Sequence, residues 1–411
     1  MKIIPSQHLD RLGISLYSND LPGTDGHISD SIESFKVTEN PLYEPSGEGE
    51  HFYYCLKKQN RNTMSCVKEI AKTLNIPAMD IGYAGLKDKF AITEQQISIR
   101  FPKGEPQLPK FINMELNFLG KHINKIKTGH LAGNQFEIKI DNAQEGFQNN
   151  LDKKIEFIES KGLLNYLGDQ RFGNRMNNHL VGIAALRQNF EESCRLILGD
   201  PERELNIQIK HAREHYEAGE LQVCSDQYPP YMKNEKKLLK ELLKGEGRHK
   251  RAFLKGEKKL RELFFNAAQA YIFNHYLSKR FKKEILIVKG DVALLTGNLA
   301  PFLVEDPEVE NKRLKEGEIT IGGPLLGPKM FPTQYQAKEF EDNLFSELGL
   351  QFEDFKSPSD KQKFQGARRP ILINVKGLSY KSESDTSYTL KFTLPPGCYA
   401  TILLNEILNP I

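Results

Sequence analysis

Alternating apolar and polar residues recur near both ends of this 411-residue chain, with a different texture between them. Phe35-Lys36-Val37-Thr38-Glu39 alternates as a half-buried strand does, and so do Phe136-Ile138-Ile140 and Tyr388-Leu390-Phe392-Leu394 with polar residues between. An antiparallel sheet with one covered face accounts for such runs. From about Phe190 to Gln365, helical patterns such as Leu263 to Arg280 alternate with short strands, and Gly322-Gly323-Pro324 and Gly327-Pro328 punctuate the stretch. The length exceeds what one hydrophobic core serves. We read two domains, the first assembled from 1–190 and 367–411 and the second inserted as 191–366.

Within the first domain, Pro41 to Glu50 forces a loop and His51 to Leu56 resumes as a strand. Asn62 or Thr63 caps a helix whose Val67, Ile70, Ala71 and Leu74 follow i, i+3, i+4, i+7 spacing, with Pro77 beyond its end. Next comes Gly82-Tyr83-Ala84-Gly85-Leu86-Lys87-Asp88-Lys89, before a strand from Gln95 to Phe101. It sets one carboxylate between two ammonium groups, beside two glycines that allow close approach. Nearby positive charge favours the ionised form, and an ionised aspartate is a competent nucleophile or base. In an extended segment Lys87 and Lys89 point away from Asp88, so the local residues alone also read as a polar turn.

Fifty-seven Lys plus Arg against 54 Asp plus Glu give a net charge of +3, which says little about partners. Distribution says more: Lys233 to Arg261 holds twelve basic residues against four acidic ones, a run suited to a polyanion or to a solvated helical face. The five cysteines form no C-x-x-C pair and their odd count argues against a disulfide framework. Met1-Lys2-Ile3-Ile4-Pro5 lacks the apolar core of a signal peptide, and no run approaches a membrane span, so we expect a soluble cytoplasmic protein. His211 and His215 stand one helical turn apart, but no glutamate follows the first and no third ligand is identifiable, so no metal is expected. The Walker phosphate-loop pattern and the G-x-S-x-G elbow are both absent. The candidate chemistry is free of cofactors and centred on a carboxylate.

A second cluster, Asn165-Tyr166-Leu167-Gly168-Asp169-Gln170-Arg171-Phe172-Gly173, places an amide, aromatics and an arginine among glycines. Such groups can read a base edge, stack on a base and hold a phosphate, or can form a buried turn. Tyr399 lies at a strand-to-helix junction in Leu394-Pro395-Pro396-Gly397-Cys398-Tyr399-Ala400-Thr401.

These stretches, with Pro45-x-Gly47-Glu48-Gly49-Glu50-His51, Gly133-Asn134-x-Phe136 and the Phe264-x-x-Ala267 helix with Phe273-Asn274, together resemble the tRNA pseudouridine synthase D (TruD) family. They occur in that family's order across nearly the whole chain. The resemblance implies an α+β fold: a pseudouridine-synthase-type catalytic domain, with a mixed antiparallel sheet and flanking helices, interrupted by an α/β TruD insertion domain. It implies an RNA-uridine isomerase acting on tRNA at uridine-13, with Asp88 matching the catalytic aspartate. Phe35, Asn165 and Tyr399 match positions lining the uridine site. Lys87, Lys89 and Arg171 are the cations expected against substrate. Leu167 stands where bacterial relatives carry an aromatic, a ring that Tyr166 or Tyr399 could supply. Three routes are open to the aspartate: bonding C1′, attacking C6, or removing a 2′ proton. An RNA-binding chaperone on the same scaffold, and a small-molecule carboxylate hydrolase, are the rival readings.

Overall fold

The computed structural model describes residues 6–18, 20–101, 104–281, 285–355 and 365–409. Met1–Pro5, read above for the absence of a signal core, lie outside the described residues. The chain packs as two compact units, one containing Leu16–Leu163 and Ile373–Ile411 and the other Gln7–Ser15 and Leu164–Leu372. Residues 164–190, which the periodicity assigns to the first domain, thus group with the second unit. Helix Asn178–Leu186 there lies against the long helix Lys258–Arg280. Gly182 permits the approach, since a Cβ on it would sit 2.2 Å from the Phe264 carbonyl oxygen.

The first unit is built on a sheet of nine strands among the described residues. Its order is Lys376–Ser384, Ser387–Leu394, Leu131–Asp141, Phe35–Pro41, Ile92–Arg100, His51–Gln59 and Met114–His122, with His27–Ile28 on Leu131–Asp141 and Ile81–Tyr83 on Ile92–Arg100. Neighbours run antiparallel except the central Phe35–Pro41 and Ile92–Arg100 pair, which is parallel with Lys36 opposite Ile92. The alternating runs from the two chain ends are neighbours, Phe392 opposite Phe136 and Leu390 opposite Ile138.

Phe52, Tyr54 and Leu56 lie on one face of strand His51–Gln59, as alternation requires, and pack with Cys66, Val67, Ile70 and Ala71 of helix Thr63–Leu74. Burying Val67 and Ile70 contributes about 2 kcal/mol each. The helix starts where the Asn62 side chain accepts the Ser65 N–H at 2.8 Å, a cap worth about 1 kcal/mol. It ends at Asn75, whose φ of 52° is left-handed. Phe35, Phe136 and Phe392 form a stacked row, with centroids 6.5 Å and 5.2 Å apart. The C-terminal helix Ala400–Leu408 is anchored by Glu406, whose carboxylate accepts from the Ser18 N–H and hydroxyl.

The second unit carries a four-stranded antiparallel sheet ordered Pro301–Leu303, Val292–Leu295, Ile319–Leu325, Ala367–Pro370. Gly322-Gly323-Pro324, read as punctuation, lies inside a strand. Its glycines serve packing: a Cβ at 323 would meet the Phe273 ring at 2.7 Å, and one at 322 would meet Arg368 Cβ at 2.9 Å.

Candidate active site

The segment between strands Ile81–Tyr83 and Ile92–Arg100 has no regular structure, so its main-chain groups need partners elsewhere. Side chains supply them. The Gln95 amide donates to the Gly85 carbonyl at 2.9 Å. The Lys87 N–H donates to Thr63 Oγ1 at 3.0 Å, and the Thr63 hydroxyl donates to Gln95 Oε1 at 2.8 Å. Lys58 Nζ donates to the carbonyls of Arg61 and Asp88, both at 2.7 Å, and to that of Lys87 at 3.5 Å. Gly82 is required sterically, because a Cβ there would lie 2.3 Å from the Ile126 carbonyl oxygen. Gly85 faces open space, with nothing within 4 Å of where its Cβ would be.

On this tethered loop Asp88 is half-buried, and among the described residues no side chain hydrogen-bonds or pairs with its carboxylate. The flanking lysines are directed elsewhere. Lys87 Nζ lies 2.8 Å from Glu39 Oε2 with both side chains buried, and it also donates to Asn134 Oδ1. Glu39 Oε1 accepts the Gln96 N–H at 3.1 Å. Lys89 is exposed, its ammonium 5.0 Å from the centre of the Phe90 ring. Burial pushes the Lys58 ammonium down to about 8; Cys66 and Asp88 nearby draw it back up and Lys87 presses it further down.

The structure brings Asp88, Lys87, Lys89, Phe35 and Tyr399 into the first unit, while Asn165 and Arg171 belong to the second. Phe35 is only 2% exposed, its ring face turned to Phe136 in the aromatic row. Tyr399 is half-buried at the N-cap of the Ala400–Leu408 helix. Asn165 is buried and engaged: its amide nitrogen donates to the Pro370 carbonyl at 2.9 Å and its Oδ1 accepts from Arg369 at 2.5 Å. Arg171 is exposed on the short turn Asp169–Arg171. Tyr166 cannot supply the ring missing at Leu167, since it is 1% exposed and its hydroxyl is bonded to Ser15 and Ser278. Asn274 holds the Leu167 backbone at both ends, accepting its N–H at 2.8 Å and donating to its carbonyl at 2.9 Å.

Sequence reasoning missed Glu39, Lys58, Thr63 and Gln95. Two of them left a signal: Glu39 continues the inward phase of Phe35 and Val37, and Lys58 that of Tyr54 and Leu56. A charge in the inward phase of a strand demands a partner.

Nine of the twelve basic residues of the run fall into two sets, engaged and, among the described residues, unpartnered; of the other three, Lys236 donates to the Ser225 carbonyl, Lys250 lies over the Phe190 ring and Lys258 pairs with Glu262. The buried Glu241 gathers Lys244, Arg248 and Arg251, and Arg261 donates to the carbonyls of Leu254 and Gly256. Lys233, Lys237, Lys240, Lys255 and Lys259 are exposed, with no side-chain partner among the described residues. His215 of the histidine pair contacts Glu220 and Gln227. No group of three or more metal-capable side chains occurs among the described residues, and no helix there is long and apolar enough to cross a membrane.

The family profile described as tRNA pseudouridine synthase D (TruD) matches residues 11–407. A Geotalea daltonii protein named tRNA pseudouridine synthase D is 33% identical over 401 residues, covering 95% of this chain and 98% of the relative. A Geobacter metallireducens protein of the same name is 32% identical over 390 residues, covering 95% and 96%. The crystal structure of a Methanosarcina mazei protein carrying the same family name superposes with a TM-score of 0.85 at 28% identity, over 97% of each chain.

Proposed function

The chain belongs to the TruD family of tRNA pseudouridine synthases, and on that premise we propose that Asp88 is the catalytic carboxylate and uridine-13 of tRNA its target. The family's reaction is an isomerisation. The N1–C1′ bond of uridine breaks, the uracil turns, and a C5–C1′ bond forms; C5 loses a proton and N1 gains one, so no redox partner or group donor is needed. The target base has to leave its stack to be reached.

The observation that carries the assignment is the contrast at Asp88, a carboxylate with no side-chain partner among the described residues, on a loop whose backbone is held from several directions. Held backbone and free carboxylate suit a group that must meet a reacting atom in one orientation. Asp88 starts detachment as nucleophile or base. Lys89 and Arg171, both exposed, contact phosphate. The Tyr399 ring lies against base or ribose, with Phe35 supporting the sheet beneath through Phe136. Lys87 acts through its bond to Glu39 rather than by touching RNA, and Asn165 orders Arg369.

The test is to incubate the protein and its Asp88→Asn variant with unmodified tRNA transcripts and map pseudouridine by carbodiimide primer stops. A new stop at position 13, absent with the variant, is the expected result. The variant should keep RNA affinity within about tenfold, because phosphate contacts dominate binding. A stop that persists with the variant rules out Asp88. Tight binding without any stop favours the chaperone reading.

A further inference from the structure

Lys58 is 1% exposed, on the core-facing side of strand His51–Gln59. Among the described residues no carboxylate lies within ion-pair distance of its ammonium. Burying an unpaired charge is unfavourable, and a methionine would fill the same space without that penalty. What the ammonium does have is three carbonyls for its three donors: Arg61 and Asp88 at 2.7 Å and Lys87 at 3.5 Å. Two of these belong to the loop that carries the carboxylate, one of them to Asp88 itself. Fixing the Asp88 carbonyl fixes the peptide plane after it, and with it the direction in which its Cα–Cβ bond can point. Thr63 grips the same loop by the Lys87 N–H, so the chain is held on the two sides of the Lys87 residue.

We propose that Lys58 is a positioning residue for the isomerisation, tying the carbonyls of residues 61, 87 and 88 together so that the Asp88 carboxylate is aimed at the ribose or base. The inference rests on Asp88 being the catalytic group. Cys66 and Asp88, which draw its proton affinity up, and Lys87, which lowers it, are the titratable groups facing Lys58, and it stays mostly protonated at neutral pH.

The full-length protein is assayed on tRNA transcripts as Lys58→Met, Thr63→Val and Asp88→Asn variants, with kcat and KM determined separately and RNA affinity measured by filter binding. A misplacement of the reacting group by about 1 Å costs on the order of 100-fold in rate. Lys58→Met should therefore lose about that factor in kcat, with KM and RNA affinity nearly unchanged. Thr63→Val, which removes the acceptor of the Lys87 N–H and the donor to Gln95 but leaves the Lys58 bonds to residues 87 and 88 in place, should lose less, again in kcat. If Lys58→Met turns over as fast as the parent while Asp88→Asn is inactive, the positioning role is overturned and the catalytic assignment stands. An active Asp88→Asn overturns the catalytic assignment instead. Should Lys58→Met fail to fold, Thr63→Val decides: a fall in kcat at constant KM supports the positioning, and an unchanged kcat overturns it.

Discussion

Replacing Glu39 by Gln probes the buried pair beneath the loop. The Lys87 and Glu39 side chains are 5% and 1% exposed and their charged atoms lie 2.8 Å apart, so water can do little to replace a lost partner. Removing one member of such a pair costs about 3–5 kcal/mol, because the other charge stays buried. Gln retains an oxygen for the Gln96 N–H, and Asn134 Oδ1 still accepts from Lys87, which places the loss at about 3 kcal/mol, the low end of that range. For a unit of this size that corresponds to a fall of about 6–12 °C in its melting transition, measured by scanning calorimetry. The double variant Glu39→Gln with Lys87→Met should recover part of the loss, since the unpaired buried ammonium is gone while the amide oxygen at position 39 still meets the Gln96 N–H. A Glu39→Gln transition within 1 °C of the parent, or a double variant no better than the single one, would refute the argument that an unpaired Lys87 ammonium is the source of the instability.

His179 is buried against Tyr271 and Phe172, and burial pushes its imidazole down from 6.5 to about 3. The unfolded chain therefore binds the proton more readily than the folded one, so stability is fully present above pH 6.5 and is lost as pH falls toward 3, by up to about 5 kcal/mol. Urea unfolding at a series of pH values should show this limb in the parent and a flatter one in His179→Leu; equal limbs would exclude His179 as the cause. If the exposed lysines of the second unit meet phosphate, replacing Lys233, Lys237 and Lys240 together by Gln should reduce the slope of log affinity against log salt by about 2–3. An unchanged slope would show that tRNA binds elsewhere.

The strands and their inward faces were legible from residues such as Phe136, Ile138, Leu390 and Phe392, because a period of two survives in any sheet with one covered face. The helix of Thr63–Leu74 was legible for the same kind of reason, with its cap at Asn62. What could not be read was which polar groups meet across the chain. Lys87 was visible as a neighbour of Asp88, yet its partner is Glu39, two strands away in sequence, on a strand that pairs in parallel with Ile92–Arg100 just after the loop. Nothing near Asn165 in the sequence announces that its side chain meets Arg369 and the Pro370 carbonyl of strand Ala367–Pro370. Gly322 and Gly323 read as punctuation because their reason for being glycine, the Phe273 ring and the Arg368 side chain, lies on other elements.

The central sheet draws its strands from both sides of the inserted unit, and this sets an order on how the protein comes into being. Leu131–Asp141 pairs on one edge with Phe35–Pro41 and on the other with Ser387–Leu394. On the ribosome, then, the first of these edges can close early while the second stays open until the whole of 164–372 has been made. Domains fold as units in the order of their synthesis, and both parts of the second unit, Gln7–Ser15 and Leu164–Leu372, have been made by then, so it can settle while the unit carrying Asp88 still waits for strands Lys376–Ser384 and Ser387–Leu394. During that interval an edge bearing Phe136, Ile138 and Ile140 has no strand beside it, the kind of surface that invites pairing with other chains. Completion of the unit that carries Asp88 thus waits on the synthesis of strands Lys376–Ser384 and Ser387–Leu394.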